Sequence, residues 1–554
     1  MTSARTPILV ASVLVAAAAA ASARQTSDVA AEGKRWWSHI EFLADDKLEG
    51  RNVGTAGFEK AVVYVEEQFK SIGLKPAGTA GYRQPLKFES RVLVADKSKL
   101  ALVRAGKEEA LVVGQDGTLS ARGELDGSID VPMVFVGYGL SIPGTKWNEF
   151  AGLDLKGKVA VYVNSFPPAD VSDNVKSHVN SVGERWAVLK RAGAIGMATF
   201  PAPAENPPAA DAAGRAGRAG APRGGGGGGG RGNNPPQPTI SLFDKDLQDQ
   251  AGQVISISWT RRGADKLLAG TGHTMDEIDR LVRDKKALPR FVLPATLHAE
   301  AALTRTTIDS TNVVGMFEGS DPKLKSEYVV MTAHLDHVGI GREVNGDTIY
   351  NGAMDDASGV ASVIETARLL ATSGMKPKRS VLFIAVTGEE KGLLGSKYFV
   401  GRPTVPFNQI VADINLDMFL PLYPLKVIEV QGLAESTLGD EVKAAARTLG
   451  VNVQTDREPE ENRFIRSDQY SYIRQGIPAL AFKFGYEFGS PEETMRRNWV
   501  RDVYHKPNDD VKQPVNLEAA ATFNRVIMTL LQRVANNPAR PKWNANSFFR
   551  GFAK

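Results

Sequence analysis

A regular alternation of apolar, strand-like runs with helical patterns is the feature that most constrains how this chain can fold. It occupies the region from about Val313 to Val534. The strand signals fall at Tyr328–Thr332, Val381–Val386, Ile410–Leu416, Val427–Val430 and Ala479–Phe482. The helical patterns fall at Ser358–Ala371, Leu438–Leu449 and Val515–Val534. Because strands that alternate with helices form α/β sheets, we predict a mostly parallel mixed sheet flanked by helices.

The part of the chain before this alternation shows two kinds of sequence pattern, one helical and one rich in short strands. Apolar residues recur at three- and four-residue steps between Trp36 and Leu74, which predicts a helix. Short β-rich pieces separated by Gly and Asp begin near Phe88, and residues 157–163 give a buried-strand signal. The first helix needs the later strands to complete its core. We therefore expect a smaller β-rich domain to be inserted into a larger α/β domain.

The N-terminus has the pattern of an export signal. Arg5 precedes an apolar run from Ile8 to Ala21, and Ala21-Ser22-Ala23 fits a cleavage site. The run is shorter than the roughly 20 residues that span a bilayer, so we favour a cleaved signal peptide over an anchor. We expect a periplasmic or secreted protein with no membrane insertion after cleavage. The predicted parts are a signal peptide (1–23), two pieces of the larger domain (25–90 and 296–554) and the inserted domain (91–295).

One segment of the inserted domain has a low-complexity composition. Residues 201–238 consist almost entirely of Pro, Ala, Gly and Arg, with consecutive glycines from Gly224 to Gly230. Such a segment buries too little apolar surface to offset the entropy of ordering, so we predict a disordered loop. Its arginines leave a nucleic-acid arm as the competing interpretation. A net charge of +4 over 554 residues argues against a nucleic-acid partner.

The amino-acid composition limits the chemistry that the chain can carry. It has no Cys, which excludes disulfides, thiolate-bound zinc, iron–sulfur clusters and a cysteine nucleophile. Any metal must therefore be held by His, Asp and Glu. Only 7 His occur in the chain, so the position of each one is informative.

Imidazoles and carboxylates follow the predicted strands, at the edge of an α/β sheet where ligands bind. The segments are Ala333-His334-Leu335-Asp336-His337, Asn351 to Gly359 with Asp355-Asp356, Thr387-Gly388-Glu389-Glu390, Asn415-Leu416-Asp417-Met418 and, far downstream, Tyr504-His505. A single such residue is usually a cap or a satisfied polar group. Several ionised groups at one edge would repel one another unless a cation neutralised them. The set therefore predicts a metal site.

The types of ligand select the metal. Imidazole and carboxylate ligands without sulfur suit zinc, with Co²⁺ or Mn²⁺ as possible substitutes. Two imidazoles and several carboxylates exceed what one tetrahedral catalytic zinc uses. We therefore predict two Zn²⁺ ions that share a bridging carboxylate, an arrangement that can activate a hydroxide and polarise a carbonyl together.

This set of motifs, in this order, resembles peptidase family M28, a family of di-zinc metallopeptidases. The resemblance covers Val313 to Val534, and residues 39–74 also resemble the opening helices of such enzymes. The inserted domain is similar to a protease-associated (PA) domain, on the basis of Gly137-Tyr138-Gly139 and of residues 153–159. The resemblance implies a zinc-exopeptidase-like fold and peptide substrates.

The resemblance also implies a role for each motif residue. By this resemblance, the metal ligands of the chain would be His334 and Asp417 on one zinc, Glu390 and His505 on the other, and Asp355 between them. Glu389 would be the general base, and the Tyr504 hydroxyl would stabilise the oxyanion. Asp336 would lie behind His334 and fix its tautomer.

Three positions leave alternatives open. Asp356 competes with Asp355 for the bridge, although Asp355 matches the family spacing. His337 is either a supporting loop residue or a third imidazole ligand, and we favour the supporting role. Gln469 stands where many family members have His, in Ser467-Asp468-Gln469, which leaves the details of the substrate pocket undetermined.

The functional prediction is a secreted zinc exopeptidase, most simply an aminopeptidase. A carboxypeptidase of the same fold is the nearest alternative, because a cluster of Arg463, Arg466 and Arg474 offers a possible fork for a substrate carboxylate. A catalytically inactive binding protein would lack ligands, and a one-zinc cyclase would not need both sites. Side-chain specificity, the role of the PA-like domain and the oligomeric state are not determined by the sequence.

Overall fold

A computed structural model describes residues 28–203 and 238–553 of the chain. The predicted signal peptide and most of the predicted low-complexity loop lie outside the described residues. The chain divides into two compact units. Of the described residues, the first unit contains those up to Pro85, Thr311–Arg457 and those from Ser467 onward, and the second contains those within Leu86–Ser310 and Glu458–Arg466. No helix among the described residues is long and apolar enough to cross a membrane.

The strands are numbered in chain order. They are β1 Lys75–Pro76, β2 Arg83–Leu93, β3 Lys99–Arg104, β4 Lys107–Leu111, β5 Gly117–Leu119, β6 Gly127–Val136, β7 Val159–Val163, β8 Gly196–Phe200, β9 Thr239–Leu242, β10 Ile255–Trp259, β11 Arg290–Ala301, β12 Leu303–Phe317, β13 Tyr328–His334, β14 Gly339–Val344, β15 Asp347–Tyr350, β16 Ser380–Val386, β17 Ile410–Asn415, β18 Val427–Gln431, β19 Asn452–Thr455 and β20 Ala479–Phe484.

The helices are numbered in the same way. They are α1 (residues 28–43), α2 Ala56–Ile72, α3 Asp173–Asn180, α4 Val182–Arg191, α5 Arg261–Leu268, α6 Met275–Arg283, α7 Ser358–Thr372, α8 Leu394–Gly401, α9 Leu438–Thr448, α10 Gln469–Ile473, α11 Pro491–Asp502 and α12 Leu517–Asn536.

The first unit is built on a sheet with the strand order β19-β18-β20-β17-β13-β16-β12, and β1 pairs with β12. The central pairs β16/β13, β13/β17 and β17/β20 are parallel. The pairs β12/β16 and β18/β20 are antiparallel. The predicted mixed, mostly parallel sheet is therefore confirmed.

Helices cover both faces of this sheet, as predicted. Alternate residues of a strand point to opposite faces. In β13, Val329 and Met331 pack into a core shared with α2, α7 and α12. The intervening Val330 packs into a second core with Phe399 of α8 and Tyr472 of α10. Because both faces of the central strands are buried, these strands read as continuous apolar runs in the sequence.

The second unit has a sheet of its own. Its strand order is β4-β3-β11-β6-β7-β8-β10-β5, and β2 pairs with β9 over residues 88–91 and 239–242. The central pairs β6/β7, β7/β8 and β8/β10 are parallel. Helix α4 packs against this sheet through Trp186 and Leu189. Similarity of this unit to a PA domain stays a prediction.

The unit boundaries differ from the domain boundaries given by the sequence pattern. The units divide near residues 85 and 310, inside β2 and β12, whereas the sequence places the boundaries at 90 and 295. The short segment Glu458–Arg466 also belongs to the second unit, because its 3₁₀ turns contact α3. Such an excursion depends on long-range contacts and leaves no periodic signal in the sequence.

Candidate metal centre

Three of the predicted site segments lie at one edge of the first unit's sheet. His334 is the last residue of β13, Glu389 and Glu390 follow the end of β16, and Asp417 lies two residues after β17. These three strands are parallel neighbours, so their carboxyl ends meet at the same edge. Asp355 joins them from a short helical turn that precedes α7.

The first ligand group consists of His334, Asp355 and Asp417. One nitrogen or oxygen atom of each residue lies within 4.8 Å of the others. The Nε2 atom of His334 is 3.1 Å from Oδ1 of Asp355. The His334 Nδ1 atom is 3.0 Å from the main-chain oxygen of Asp336. A proton donated from Nδ1 to that carbonyl leaves the lone pair of Nε2 directed at the group.

The second group lies on the other oxygen of Asp355. The Nε2 atom of His505 is 3.0 Å from Asp355 Oδ2 and 3.1 Å from Glu390 Oε1. His337, Asp355 and Glu390 also offer ligand atoms that lie within 4.8 Å of one another. The two groups therefore share Asp355, with one carboxylate oxygen facing each group.

The residues fit the zinc ions that the motifs imply. Asp355 Oδ2, Glu390 Oε1 and both ring nitrogens of His337 are buried and have no hydrogen-bond partner among the described residues. An unpartnered buried carboxylate oxygen is costly, and a bound cation removes that cost. Imidazole nitrogen and carboxylate oxygen are ligands that zinc takes readily.

The electrostatics point to the same kind of ligand. Burial opposes protonation of His505, but Glu390 and Asp355 outweigh it and raise its pKa to about 11. Burial likewise opposes protonation of His334, and Glu389 and Asp355 raise its pKa well above the usual range. The carboxylates thus attract positive charge to the positions that the imidazoles face. Metal ions that bind there compete with protons.

Asp336 lies beside His334. Its contact with the imidazole is made by the main-chain carbonyl. Its carboxylate instead accepts hydrogen bonds from the main-chain N–H groups of Glu389, at 3.1 Å, and Glu390, at 3.4 Å. Asp336 therefore holds the turn that presents the two glutamates.

Asp355 and Asp356 make different contacts. The Asp356 carboxylate accepts bonds from the main-chain N–H groups of His334, Gly359 and Met418, at 3.2, 2.9 and 3.0 Å. Through these bonds the Asp356 carboxylate connects the backbone of three segments of the site. Asp355 is the residue whose two oxygens face the two ligand groups.

Tyr504 lies beside the second group. Its ring stacks on that of His505, with the centroids 3.9 Å apart, and also packs near Trp499. Burial, together with the carboxylates of Asp355 and Glu390, raises the pKa of Tyr504 well above its usual value. The phenol therefore stays protonated at neutral pH and can donate a hydrogen bond.

The side chain of Arg51 ties the site loops together, although the sequence motifs give no sign of it. Arg51 is fully buried, and its guanidinium donates to the main-chain oxygens of Leu335 at 3.0 Å, Asn351 at 2.7 Å and Gly352 at 3.0 Å. A further bond reaches the Leu43 oxygen at the end of α1. Burial lowers the pKa of Arg51 to about 10, so it remains charged at neutral pH.

Asp509, in the C-terminal part of the chain, also fixes the backbone of a site loop. Its carboxylate accepts bonds from the main-chain N–H groups of Met354, at 2.9 Å, and Asp355, at 3.0 Å. The loop that carries His505 thereby also fixes the backbone of Asp355. A lone aspartate four residues after His505 is not a recognisable signal in a single sequence.

Arg51→Ala is expected to lower the free energy of unfolding by about 3–5 kcal/mol, because several buried carbonyls lose charged donors at once. Urea unfolding followed by far-UV circular dichroism measures the change. The exposed Arg342 provides the control, since Arg342→Ala should change stability by less than about 0.5 kcal/mol. Equal effects of the two substitutions would show that Arg51 does not hold the loops.

Gln469, the departure from the family pattern, is fully buried. Its side-chain oxygen accepts a hydrogen bond from Asn415 Nδ2 at 2.7 Å. Asn415 Nδ2 also donates to the Ser467 hydroxyl at 3.0 Å. Gln469 thus supports the strand end that leads to Asp417. Lys483, on the neighbouring strand β20, donates to the main-chain oxygens of Asp417 and Met418.

The three arginines that suggested a carboxylate fork each contact their own part of the chain. Arg463 forms an ion pair with Glu458 at 2.9 Å. Arg466 donates to the main-chain oxygen of Glu461, and Arg474 lies over the ring of Tyr470. Each of the three arginine side chains therefore has a partner close to it in the sequence.

Comparison with known proteins finds a family model that matches the part of the chain that carries most of the site. The model described as "Peptidase family M28" matches residues 312–531. A "Probable zinc metalloprotease" of Pyrenophora tritici-repentis is 28% identical over 263 residues, which covers 42% of this chain and 59% of that protein. The "probable leucine aminopeptidase 2" of Aspergillus oryzae is 29% identical over 249 residues, which covers 43% of this chain and 47% of that protein.

The chain spans about half the length of the curated relatives it matches. Among solved structures, an aminopeptidase from Aneurinibacillus sp. strain AM-1 is similar over 92% of this chain and 95% of that chain. Its sequence identity is 19% and its TM-score is 0.49.

Proposed function

We propose that this protein is a zinc-dependent exopeptidase and, more specifically, an aminopeptidase, because residues 312–531 match the family model of peptidase family M28. Its substrates would be peptides with a free N-terminus. The export signal and the PA-like insertion stay predictions within this proposal.

One observation carries the proposal: Asp355 stands between two sets of imidazole and carboxylate ligands. His334 Nε2 lies 3.1 Å from one of its oxygens, and His505 Nε2 lies 3.0 Å from the other. A carboxylate shared in this way suits two cations held close together. On this basis His334, Asp355 and Asp417 would hold one zinc, and Asp355, Glu390 and His505 the other.

The zinc ions, Glu389 and Tyr504 would each have a separate role in hydrolysis. Two bound zinc ions would polarise the scissile carbonyl and lower the pKa of the attacking water. Glu389 would accept the proton of that water and pass it to the departing amine. The protonated phenol of Tyr504 would donate a hydrogen bond to the carbonyl oxygen as negative charge develops on it.

Contacts of the arginines favour an aminopeptidase over a carboxypeptidase. Arg463, Arg466 and Arg474, which could have held a substrate carboxylate, each have a partner close to them in the sequence. The name of the Aspergillus oryzae relative agrees with this choice.

An assay on paired substrates tests the proposal. We expect hydrolysis of an amino-acid anilide, no hydrolysis of its N-acetylated counterpart, and loss of activity in chelator that added Zn²⁺ or Co²⁺ restores. Cleavage of an N-blocked dipeptide at its C-terminal residue would instead support a carboxypeptidase. Activity that is indifferent to chelator, or no hydrolysis by metal-loaded protein, would contradict the zinc-exopeptidase assignment.

A further inference from the structure

His337 lies three residues beyond His334, and the proposed chemistry assigns it no role. We propose that His337 is a third imidazole ligand and binds, through Nδ1, the cation held by Asp355, Glu390 and His505. This inference rests on the proposed metal centre and adds a protein ligand to it. The second site would then have two imidazoles and two carboxylates, against one imidazole and two carboxylates in the first.

The position of Nδ1 is that of a ligand atom. It lies 2.9 Å from Glu390 Oε1 and 4.0 Å from Asp355 Oδ2. Two atoms that each lie about 2.0–2.2 Å from one zinc ion can be at most about 4.4 Å apart, so both separations allow a shared ion. The distances of 3.0 and 3.1 Å from His505 Nε2 to the same two oxygens fall in the same range.

A well-aligned hydrogen bond does not account for the approach of His337 to Glu390. Although the two atoms are 2.9 Å apart, neither His337 Nδ1 nor Glu390 Oε1 makes a hydrogen bond of good angle to any described residue. Two lone pairs that face each other at this distance repel unless a proton or a cation lies between them. The His337 side chain is also fully shielded from solvent.

The surrounding backbone holds the ring in this position. The main-chain N–H of His337 donates to the main-chain oxygen of Arg51 at 3.3 Å. Gly352, opposite the ring, has φ +64°, and a Cβ there would come within 2.5 Å of His337 Cγ. The side chain of Arg51 also donates to the main-chain oxygens of Leu335 and Gly352, which fixes the backbone near the ring. A ring confined in this way loses little entropy when it coordinates a metal.

A purely structural role fits these contacts poorly. A buried imidazole that only fills space leaves its ring nitrogens without hydrogen-bond partners, and each unsatisfied buried group carries a desolvation cost. An apolar side chain would fill the same volume without that cost. Coordination through Nδ1 removes the cost on the side that faces Glu390 and Asp355.

The substitution His337→Cys provides a direct spectroscopic test. The chain has no cysteine, so a thiolate-to-cobalt charge-transfer band can arise only from the introduced sulfur. Nδ1 is the ring nitrogen near Cβ, and a cysteine sulfur, with its longer metal bond of about 2.3 Å, reaches the same ion. We expect the band when H337C is titrated with Co²⁺. The matched control H298C, at a histidine of the second unit that pairs with Asp130, should bind as much Co²⁺ without the band.

The outcomes separate this inference from the proposed function. Failure of the wild-type protein to bind Co²⁺ or Zn²⁺ would overturn the metal centre itself. Two Co²⁺ per chain in folded H337C without a charge-transfer band would overturn only the role of His337. If H337C does not fold, a crystal structure of the zinc-loaded wild-type protein decides instead. A distance of about 2.0–2.1 Å from zinc to His337 Nδ1 supports the inference, and one above about 3 Å overturns it.

Discussion

Glu389→Gln is expected to lower kcat for anilide hydrolysis by roughly 10²–10⁴-fold while leaving the bound zinc at the wild-type amount. Glu389 belongs to neither ligand group, so its substitution removes no metal ligand. Its main-chain N–H is fixed by the Asp336 carboxylate at 3.1 Å, which holds the residue at the sheet edge. Burial raises the pKa of Glu389, and a carboxylate with a raised pKa accepts a proton more readily.

Glu390→Gln is the matched control, because it makes the same chemical change one residue further along. Glu390 Oε1 lies within 3.1 Å of His505 Nε2, so this variant should lose zinc as well as activity. Metal analysis and steady-state kinetics on both variants measure the contrast. If Glu389→Gln turned over substrate at the wild-type rate, or lost zinc like Glu390→Gln, Glu389 would not be the base.

Asp355→Asn is expected to reduce the binding of both cations and to lower kcat/KM by roughly 10⁴-fold or more. Asp355 is the residue common to both ligand groups, and its two oxygens face His334 and His505. An asparagine offers one oxygen and an NH₂ group that cannot ligate a metal. Each ion contributes several kcal/mol to transition-state stabilisation, and each 1.36 kcal/mol corresponds to a factor of ten in rate.

The neighbouring substitution Asp356→Asn separates ligand from scaffold. The Asp356 carboxylate accepts bonds from three main-chain N–H groups, and an amide replaces one of its acceptor oxygens with a donor. We expect this variant to lose about 1–3 kcal/mol of stability and to retain zinc. Zinc analysis and urea unfolding distinguish the two variants. Full zinc occupancy in Asp355→Asn would exclude the shared carboxylate.

The sequence indicated the sheet, its flanking helices and the residues at the strand ends. Strand character is local, because a buried parallel strand is a short apolar run and its last residue can be read directly. His334 at the end of β13 and Asp417 just after β17 are examples. The family resemblance then gave Asp355, Glu390 and His505 a shared role, and the structure brings these side chains together.

The sequence was less informative where a side chain's role depends on its direction. Asp336 is predicted to fix the tautomer of His334, and only the structure shows that its main-chain carbonyl is the group that contacts the imidazole. His337 was favoured as a supporting residue, yet its Nδ1 faces Glu390. Within a loop such as residues 335–337, the periodicity of strands and helices no longer specifies where each side chain points.

What the sequence by itself determined is therefore the fold class and which imidazoles and carboxylates follow the strands, because both follow from local patterns of apolar and polar residues. What only the tertiary structure decided is which atoms face one another. Arg51 joins carbonyls at Leu335 and Gly352, roughly 300 residues away, and Asp509 fixes the backbone of Asp355. Bonds between such distant parts of the chain exist only in the folded protein, and they fix the backbone of the loops next to His334 and Asp355.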